Sequence, residues 1–389
     1  MASRIAVRAS LSAIACMAFA AGCLAAEGTG SSTDLGTGRS GPDDPAADRV
    51  TRALSVTNLT ADQPGVAPNV ALSLVNAWGI VAFDRRFWTA DNGTGKVSIL
   101  DGKGQPVTGK PASGAIDLGA GITGVAVTGV AGDDVAFPIH AAQACKPAVL
   151  IFASETGKLI GVNPELSITG GFVVIDRSSV GAIYKGVAVI QGPGGLLILA
   201  ADFHNARIDV FDANFQLVTN LSFEVTPALP DGFAPFNVMA FGDTVFVTFA
   251  KQDADAEDDV PGPGLGFVAA FDTSGKLLGL AKGPALNAPW GMALACNFGP
   301  FPNSLLVGNF GDGHITAIEM PGTAGTPLTL KVRGQLKDRS GAPIAIDGLW
   351  GLSFGFAVDK ARPDGLYFTA GPDDEAHGLF GVIARVPVP

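Results

Sequence analysis

The chain has 389 residues, of which 47% are hydrophobic and 16% charged, and its formal net charge is −11. Negative charge of this size argues against nucleic acid as a partner and against an anionic membrane surface. Gly (52 residues) and Pro (26 residues) together make up about a fifth of the chain, against a usual share of roughly 12%. This excess favours a fold with many tight turns and argues against a helical bundle.

Residues 1–22 have the pattern of an export signal. Arg4 and Arg8 form a basic start, and the small apolar residues 9–21 that follow are too few to span a bilayer as a helix. Cys23 ends the sequence FAAGC, which resembles a bacterial lipobox, where the cysteine becomes the lipidated first residue. Ordinary cleavage near Ala26 is the alternative. We therefore expect an exported chain that is either secreted or held at the cell envelope by a lipid on Cys23.

Residues 27–52 are rich in Gly, Ser, Thr, Asp and Pro and contain almost nothing apolar. Such a segment cannot bury enough surface to offset the entropy that ordering costs, so it is predicted to be a flexible tether. The domain organisation predicted from the sequence is a signal segment (1–22), a tether (23–52) and one folded domain (53–389).

From residue 53 onward, one unit of short strands recurs six times. Its apolar runs of four to seven residues are rich in Val, Ile and Phe and stop at Gly, Pro, Asn or Asp. A repeat of about 50 residues built from short strands predicts an all-β, six-bladed β-propeller. The innermost strands are expected to begin near Gly79, Gly124, Gly186, Asn237, Gly291 and Gly351.

The sequence also predicts how the ring closes. The last unit ends after three strands, and VTNLT at 56–60 nearly copies VTNLS at 218–222. Residues 53–60 should therefore supply the fourth strand of blade six, which joins the two ends of the domain. The other outer strands are expected at 112–118, 172–177, 217–224, 277–282 and 327–333. This arrangement separates Cys145 from Cys296, so we expect two free thiols.

In a propeller, the loops between blades and the loops from second to third strands emerge on one face, here called the top face. Loops carry most of the function of such scaffolds. Three of the four Trp residues are expected to form an aromatic rim there. The candidate ligand-binding residues on this face are Asn76, Trp78, Asp91, Asn92, Asn237, Trp290 and Trp350. The structural alternative is that Asn and Asp form turns and that Trp packs between blades.

A metal site is a second possibility for the same loops, because Ca²⁺ takes six to eight oxygen ligands from carboxylates, amides and carbonyls. The candidate ligands for a divalent cation are Asp202, Asn309, Asp312 and Asp374. All four His residues are expected in second-to-third-strand loops, and His204 and His377 are the candidates for a catalytic base. The acidic run at 253–259 lacks the EF-hand pattern and is interpreted as a solvated insertion.

Several segments carry a family resemblance, among them NLTADQPGVAPNVALSLVNAWGI (58–80), NFGDGHITAIE (309–319) and LYFTAGPDDEAHGLFGVI (366–383). They resemble a family of uncharacterised exported bacterial and fungal proteins. The resemblance runs from about residue 53 to the end and implies a six-bladed propeller of the TolB-like and NHL-like group. It implies no activity, although related six-bladed folds include Ca²⁺-dependent lactonases and esterases.

Two main functions follow as alternatives, and a purely structural envelope protein is a third. The first is a binding propeller, expected to be monomeric, that presents its top face to an envelope partner, a glycan or a small molecule. The second is a hydrolase of a small ester or lactone that depends on a divalent cation such as Ca²⁺, with His204 or His377 as base. Metal content is the observation that separates the first two.

Overall fold

The structure is a computed structural model that describes residues 53–386, apart from 108–113, 133, 143, 297 and 321–326. The predicted signal segment and tether lie outside the described residues. The described part of the chain is built from β-strands and one 3₁₀ turn at Ser178–Val180. None of its helices is long and apolar enough to cross a membrane.

The strands form six blades around a central axis, as predicted. The chain enters through β1 (Leu54–Ala61) and β2 (Asn69–Val70), which belong to the last blade. Blade one contains β3 (Ala77–Phe83), β4 (Arg86–Asp91), β5 (Lys96–Leu100) and β6 (Ala115–Asp117). Blade two contains β7 (Ile122–Val127), the hairpin β8 (Pro138–Ala141) and β9 (Ala144–Pro147), then β10 (Leu150–Ser154), β11 (Lys158–Val162) and β12 (Phe172–Asp176).

The remaining blades follow the same order. Blade three contains β13 (Tyr184–Gly192), β14 (Gly195–Asp202) and β15 (Arg207–Asp212). Blade four contains β16 (Phe233–Phe241), β17 (Thr244–Lys251), β18 (Gly266–Asp272) and β19 (Leu277–Lys282). Blade five contains β20 (Pro289–Ala295), β21 (Ser304–Asn309), β22 (Ile315–Glu319) and β23 (Lys331–Gln335). Blade six contains β24 (Leu349–Phe354), β25 (Leu366–Ala370) and β26 (Leu379–Arg385).

Ring closure by the N-terminal strand is confirmed. β1 pairs antiparallel with β26, with Leu54 opposite Arg385 and Ala61 opposite Leu379. Leu54 is fully buried and packs in a core shared by blades five and six. The two ends of the described chain therefore stabilise one blade together.

Blades two and three differ from the sequence-based prediction. The sequence predicts the second strand of blade two at 134–140, but this segment leads into β8 of the β8–β9 hairpin, and the true second strand is β10, which pairs with β7. In blade three, the predicted outer strand at 217–224 is reduced to a single bridge between Phe211 and Leu217. Its apolar side chains still pack onto the core between blades three and four, so burial is kept without a ladder.

The hairpin changes the expected positions of two residues. His140 and Cys145 face each other across β8 and β9, between the first and second strands of the blade and therefore on the face opposite the top face. The prediction that His140 lies in a top-face loop is wrong. Cys145 is a free, exposed cysteine, so no bridge joins it to Cys296.

The innermost strands meet through a repeated pair of positions. The first position of each pair carries Trp78, Thr123, Lys185, Phe236, Trp290 or Trp350, and all six are buried. The next position is Gly in five blades, because the neighbouring strand leaves no room for a side chain. A Cβ on Gly291, for example, would lie 2.2 Å from the carbonyl oxygen of Trp350. In blade four, Asn237 occupies this position and bonds the next blade instead, donating from Nδ2 to the Trp290 carbonyl at 2.8 Å.

Candidate functional site

The central channel is closed by aromatic rings near the top face. The rings of Trp78 and Trp350 stack with centroids 3.6 Å apart, and both meet Trp290 edge-on at 5.8 and 5.6 Å. Phe236 completes the group. We call these four side chains the aromatic hub. Below it the channel retains a cavity of only about 20 Å³, enough for about one water molecule.

The three tryptophans thus come together as the sequence suggested, but not as an open rim. Their side chains are between 0% and 3% exposed, so they form the floor beneath the channel mouth. The indole N–H groups of Trp78 and Trp290 have no hydrogen-bond partner among the described residues. A buried donor without an acceptor costs about 1–3 kcal/mol. The packing of the rings therefore stabilises the hub although two buried N–H groups lack a hydrogen-bond acceptor.

Lys185 is the charged member of the six inner positions and extends over the hub. Its Nζ lies 5.2 Å from the Trp78 ring centroid, an arrangement in which the ring face attracts the ammonium group. The same Nζ donates to Glu155 Oε1 at 2.5 Å and to Asp258 Oδ1 at 2.9 Å. Burial alone would lower the pKa of Lys185, but the attraction of Glu155 and Asp258 outweighs it and raises that pKa. Lys185 is therefore a permanent buried cation.

Carboxylates outnumber this cation at the channel mouth. Beside Glu155 and Asp258, the side chains of Asp259 and Glu375 lie close enough to interact with Lys185. Burial raises the pKa of Asp259 to about 7, and Lys185 opposes that shift. Burial also raises the pKa of Glu375, which accepts a hydrogen bond from Asn76 Nδ2 at 2.8 Å. We call Asn76, Asn92, Glu155, Lys185, Asp258, Asp259 and Glu375 the mouth cluster.

The acidic insertion of blade four delivers two of these carboxylates. Asp253 folds the loop by accepting hydrogen bonds from the backbone N–H groups of Glu257 and Asp258. Asp258 then reaches Lys185, and Asp259 holds a buried Oδ2 without a described partner. The interpretation of this run as a solvated insertion is therefore wrong for Asp259, which is partly buried, whereas Asp255 and Asp258 are exposed.

Two of the predicted ligand-binding residues belong to the mouth cluster. Asn76 accepts from Trp350 Nε1 at 3.0 Å, which ties the cluster to the hub. Asn92 donates to Glu155 Oε2 at 2.8 Å. Asn237 lies lower, where it joins blades four and five. Asp91 is fully buried within blade one, where it accepts from the hydroxyls of Thr89 and Ser98.

The structure does not bring the four predicted cation ligands together. Asp202 is buried in blade three and bonds Asn205, while Asp374 is exposed in blade six. Asn309 and Asp312 share blade five, where both bond Asn287. Within the described ranges, no group of three or more His, Cys, Asp or Glu side chains is arranged to hold a metal ion. Their role as metal ligands stays a prediction.

The two predicted catalytic histidines lie in different blades, and each is part of its own loop. His377 Nδ1 lies 2.9 Å from Asp62 Oδ2, and Gln63 Nε2 lies 2.6 Å from His377 Nε2. Since the Gln63 amide can only donate there, the Nδ1–H group of His377 donates to Asp62. His377 thus links blade six to the segment after the closing strand. His204 has a buried Nδ1 without a described partner.

Five members of the mouth cluster were not among the candidate site residues predicted from the sequence: Glu155, Lys185, Asp258, Asp259 and Glu375. A signal for Lys185 was present, because YKG at 184–186 aligns with AWG at 77–79 and LWG at 349–351. A charged residue at a position that other blades fill with Trp indicates a special environment. The carboxylates gave no such signal, since they come from loops of unlike length in different blades.

Comparison with known proteins finds relatives of this chain, but none with a stated function. No protein-family model matches the chain. Two uncharacterised proteins of Acanthamoeba polyphaga mimivirus are each 27% identical to it, over 347 and 350 residues, which cover 87% of this chain and 82% and 87% of the viral proteins. A third mimivirus protein is 32% identical over 231 residues, or 58% of this chain and 41% of its own length.

Solved structures with similar folds include virginiamycin B lyase from Staphylococcus aureus. Its TM-score is 0.44 at 11% identity, covering 86% of this chain and 99% of the lyase. A putative gluconolactonase gives 0.39 at 14% identity, covering 70% of this chain and 83% of that chain. Similarity at this level carries no inference about activity. The chain is a six-bladed β-propeller whose activity must be argued from its own residues.

Proposed function

We propose that this propeller is an exported, lipid-anchored binding protein whose channel mouth takes a positively charged group. The group would be the amine of a small molecule or a basic side chain of a protein partner. The observation that supports this proposal is the charge of the mouth cluster, in which four carboxylates surround one buried ammonium. Its excess of negative charge attracts a further cation.

The geometry favours an ammonium group with N–H donors. Lys185 already shows how the site holds one, because its Nζ bonds two carboxylates above the Trp78 ring. Asp258 is 74% exposed at its side chain and Glu155 is 29% exposed, so both remain reachable from solvent. A ligand amine would bond the outer oxygens of these residues and of Glu375.

The test is thermal unfolding of the purified protein with and without spermidine at low salt. A ligand that binds only the folded state raises the melting temperature. We expect a saturable increase that salt weakens. Glu375→Gln should weaken spermidine binding by about tenfold, whereas Asp255→Asn, in the same acidic loop as Asp258 but outside the mouth cluster, should leave it unchanged. Equal losses in both variants would contradict a specific mouth site.

A hydrolase that depends on a divalent cation is the second candidate, since carboxylates are also the ligands of Ca²⁺. This function ranks below binding because the carboxylates at the channel mouth already surround the ammonium group of Lys185 rather than an open cation site. Metal analysis of the purified protein, with unfolding before and after chelation, distinguishes the two. A stoichiometric metal whose removal lowers the melting temperature would favour the hydrolase and justify assays with esters and lactones.

Export and lipid anchoring are tested separately, in a bacterium that expresses the full chain. The sequence support is the basic start, the apolar run and Cys23 followed by a polar tether. We expect the protein in the membrane fraction and a Cys23→Ser variant in a soluble fraction or uncleaved. If the wild-type chain is instead released after cleavage near Ala26, the protein is secreted without an anchor.

A further inference from the structure

A second concave site, distinct from the channel mouth, lies at the seam where the ring closes. It is a cleft of about 740 Å³ between the segment after β2, blade one and a loop of blade two. Cavities that hold small molecules typically measure about 300–1,000 Å³. Val70, Leu72 and Ser73 line one side, Lys96 and Ser98 of β5 the floor, and Ile168 the far wall.

The floor of the cleft leads to a buried carboxylate through two hydroxyls. Ser73 Oγ lies 2.8 Å from Ser98 Oγ, and Ser98 Oγ donates to Asp91 Oδ2 at 2.5 Å. The other oxygen of Asp91 accepts from Thr89 at 2.6 Å. Asp91 and Ser98 are 0% and 1% exposed, while Ser73 is half-buried at the cleft. We call Ser73, Ser98 and Asp91 the hydroxyl relay.

The direction of the relay depends on the proton of Asp91. While Asp91 is ionised, the single proton of Ser98 is donated to it, so Ser73 must donate to Ser98. Ser73 then offers only lone pairs to the cleft. Once Asp91 is protonated, it can donate to Ser98, and Ser98 to Ser73. The Ser73 proton is then free to point into the cleft as a donor.

The walls of the cleft suit a molecule with one charged end and an apolar body. Lys96 is exposed and makes no ion pair with any described residue, and Asp117, its cross-strand partner on β6, also lines the cleft. Leu72, Val70 and Ile168 are 78%, 42% and 42% exposed and form an apolar surface beside it. Apolar side chains that remain exposed next to a concave polar floor are typical of ligand sites.

We propose that this cleft binds a small amphipathic molecule with a carboxylate head, and that binding is coupled to the uptake of one proton from solvent by Asp91. The head lies between Lys96 and the Ser73 hydroxyl, and the apolar body lies against Leu72, Val70 and Ile168. An anion at Ser73 requires a hydrogen-bond donor there. It therefore favours the state in which Asp91 is protonated and the Ser73 hydroxyl donates into the cleft.

The coupling operates in the neutral pH range. Burial raises the pKa of Asp91 to about 7, and the hydroxyls of Ser98 and Thr89 partly offset this. The charged groups on the strands packed beside it are Lys96, its cross-strand neighbour in β5, and Asp117, which faces Lys96 from β6. A bound anion raises the pKa of Asp91 further. Affinity is therefore highest below pH 7 and falls by about tenfold per pH unit above it.

The experiment is calorimetric titration of the full chain with decanoate at pH 6 and pH 8. Decyltrimethylammonium, with the same tail and the opposite charge, is the counter-probe. We expect one site that binds decanoate, weakens at least about tenfold at pH 8 and binds the cationic probe poorly. Absence of saturable decanoate binding, or equal affinity for both probes, would overturn the proposal.

Two pairs of variants test its parts. Asp91→Asn should make decanoate affinity independent of pH, because an amide donates permanently to Ser98. Asn309 already fills the corresponding position in blade five, where its Nδ2 donates to Thr316, so the fold accepts an amide there. Ser73→Ala should weaken decanoate binding and flatten its pH dependence without altering Asp91, and it carries the test if the first variant does not fold. A pH dependence that survives both changes would contradict the relay.

The second pair tests the apolar wall. Leu72→Asp should reduce decanoate affinity by at least about tenfold. Val173→Asp is its matched control, because Val173 is 56% exposed on β12, outside the lining of the cleft. Equal effects of the two substitutions would place decanoate elsewhere on the surface.

Discussion

Lys185 decides the character of the channel mouth. The other five inner positions carry Trp, Phe or Thr, and a sixth uncharged residue there would leave the carboxylates of the mouth cluster without a counter-charge. The ammonium is 1% exposed at its side chain, yet it keeps its charge because Glu155 and Asp258 supply two charge-assisted hydrogen bonds. One residue thus converts a purely aromatic hub into a polar site.

Replacing Lys185 with Met tests this view through the pH dependence of stability. The pKa values of Asp259 and Glu375 are raised by burial and held down by Lys185, so the substitution raises both further. Acids whose pKa is higher in the folded than in the unfolded state favour folding as pH falls. We expect Lys185→Met to lose about 1–3 kcal/mol at pH 8, less than a fully buried ion pair because Asp258 is largely exposed. The loss should shrink by pH 5.5.

Urea unfolding at the two pH values measures this difference. Lys282→Met, on an exposed position of β19, is the control and should change stability little at either pH. A deficit of Lys185→Met that is constant with pH would mean that lost packing over Trp78, rather than lost charge, explains the effect.

At the scale of strands, prediction succeeded where the side-chain pattern and the turn chemistry agree. β19 was predicted with its observed bounds, and β12 to within one residue. The second strand of blade two was misplaced because two apolar runs, 135–140 and 148–153, competed for one position. Only pairing with β7 separates them, and pairing is a long-range contact. The prediction of an outer strand in blade three was wrong because the apolar residues of that segment pack onto the core without forming a ladder of hydrogen bonds to β15.

The candidate site was less predictable than the strands because it depends on contacts between residues that are far apart in the sequence. The sequence placed Asn76 and Asn92 on the top face, and both belong to the mouth cluster. It did not indicate that Glu155 of blade two, Asp258 of blade four and Glu375 of blade six converge on one axis. Loop length and direction set that convergence, and neither has a local sequence signal. The hydroxyl relay was missed likewise, since Ser73 and Ser98 meet only across the closing seam.

At the scale of the whole molecule, closure joins the first described strand to the last and forms the seam that holds the cleft. A closed ring leaves no inner edge, so each blade is stabilised by two neighbours. The core between blades five and six includes Leu54 from β1, beside Phe298, Leu336 and Ile383. Disturbing β1 should therefore affect the entire ring rather than one blade.

Two substitutions on β1 test this expectation, because Leu54 is fully buried whereas Val56, two residues further along the strand, is exposed. Leu54→Asp puts a charge into the shared core and should cost about 3 kcal/mol or more of the free energy of unfolding. Val56→Asp, where Val56 is 39% exposed, should cost less than about 1 kcal/mol. Denaturant unfolding followed by tryptophan fluorescence reports on the hub, which holds three of the four Trp residues, whereas β1 lies towards the outer edge of blade six. If closure couples the blades, the hub signal of Leu54→Asp shifts to lower denaturant in one transition. An unshifted hub signal would mean that blade six opens without the ring.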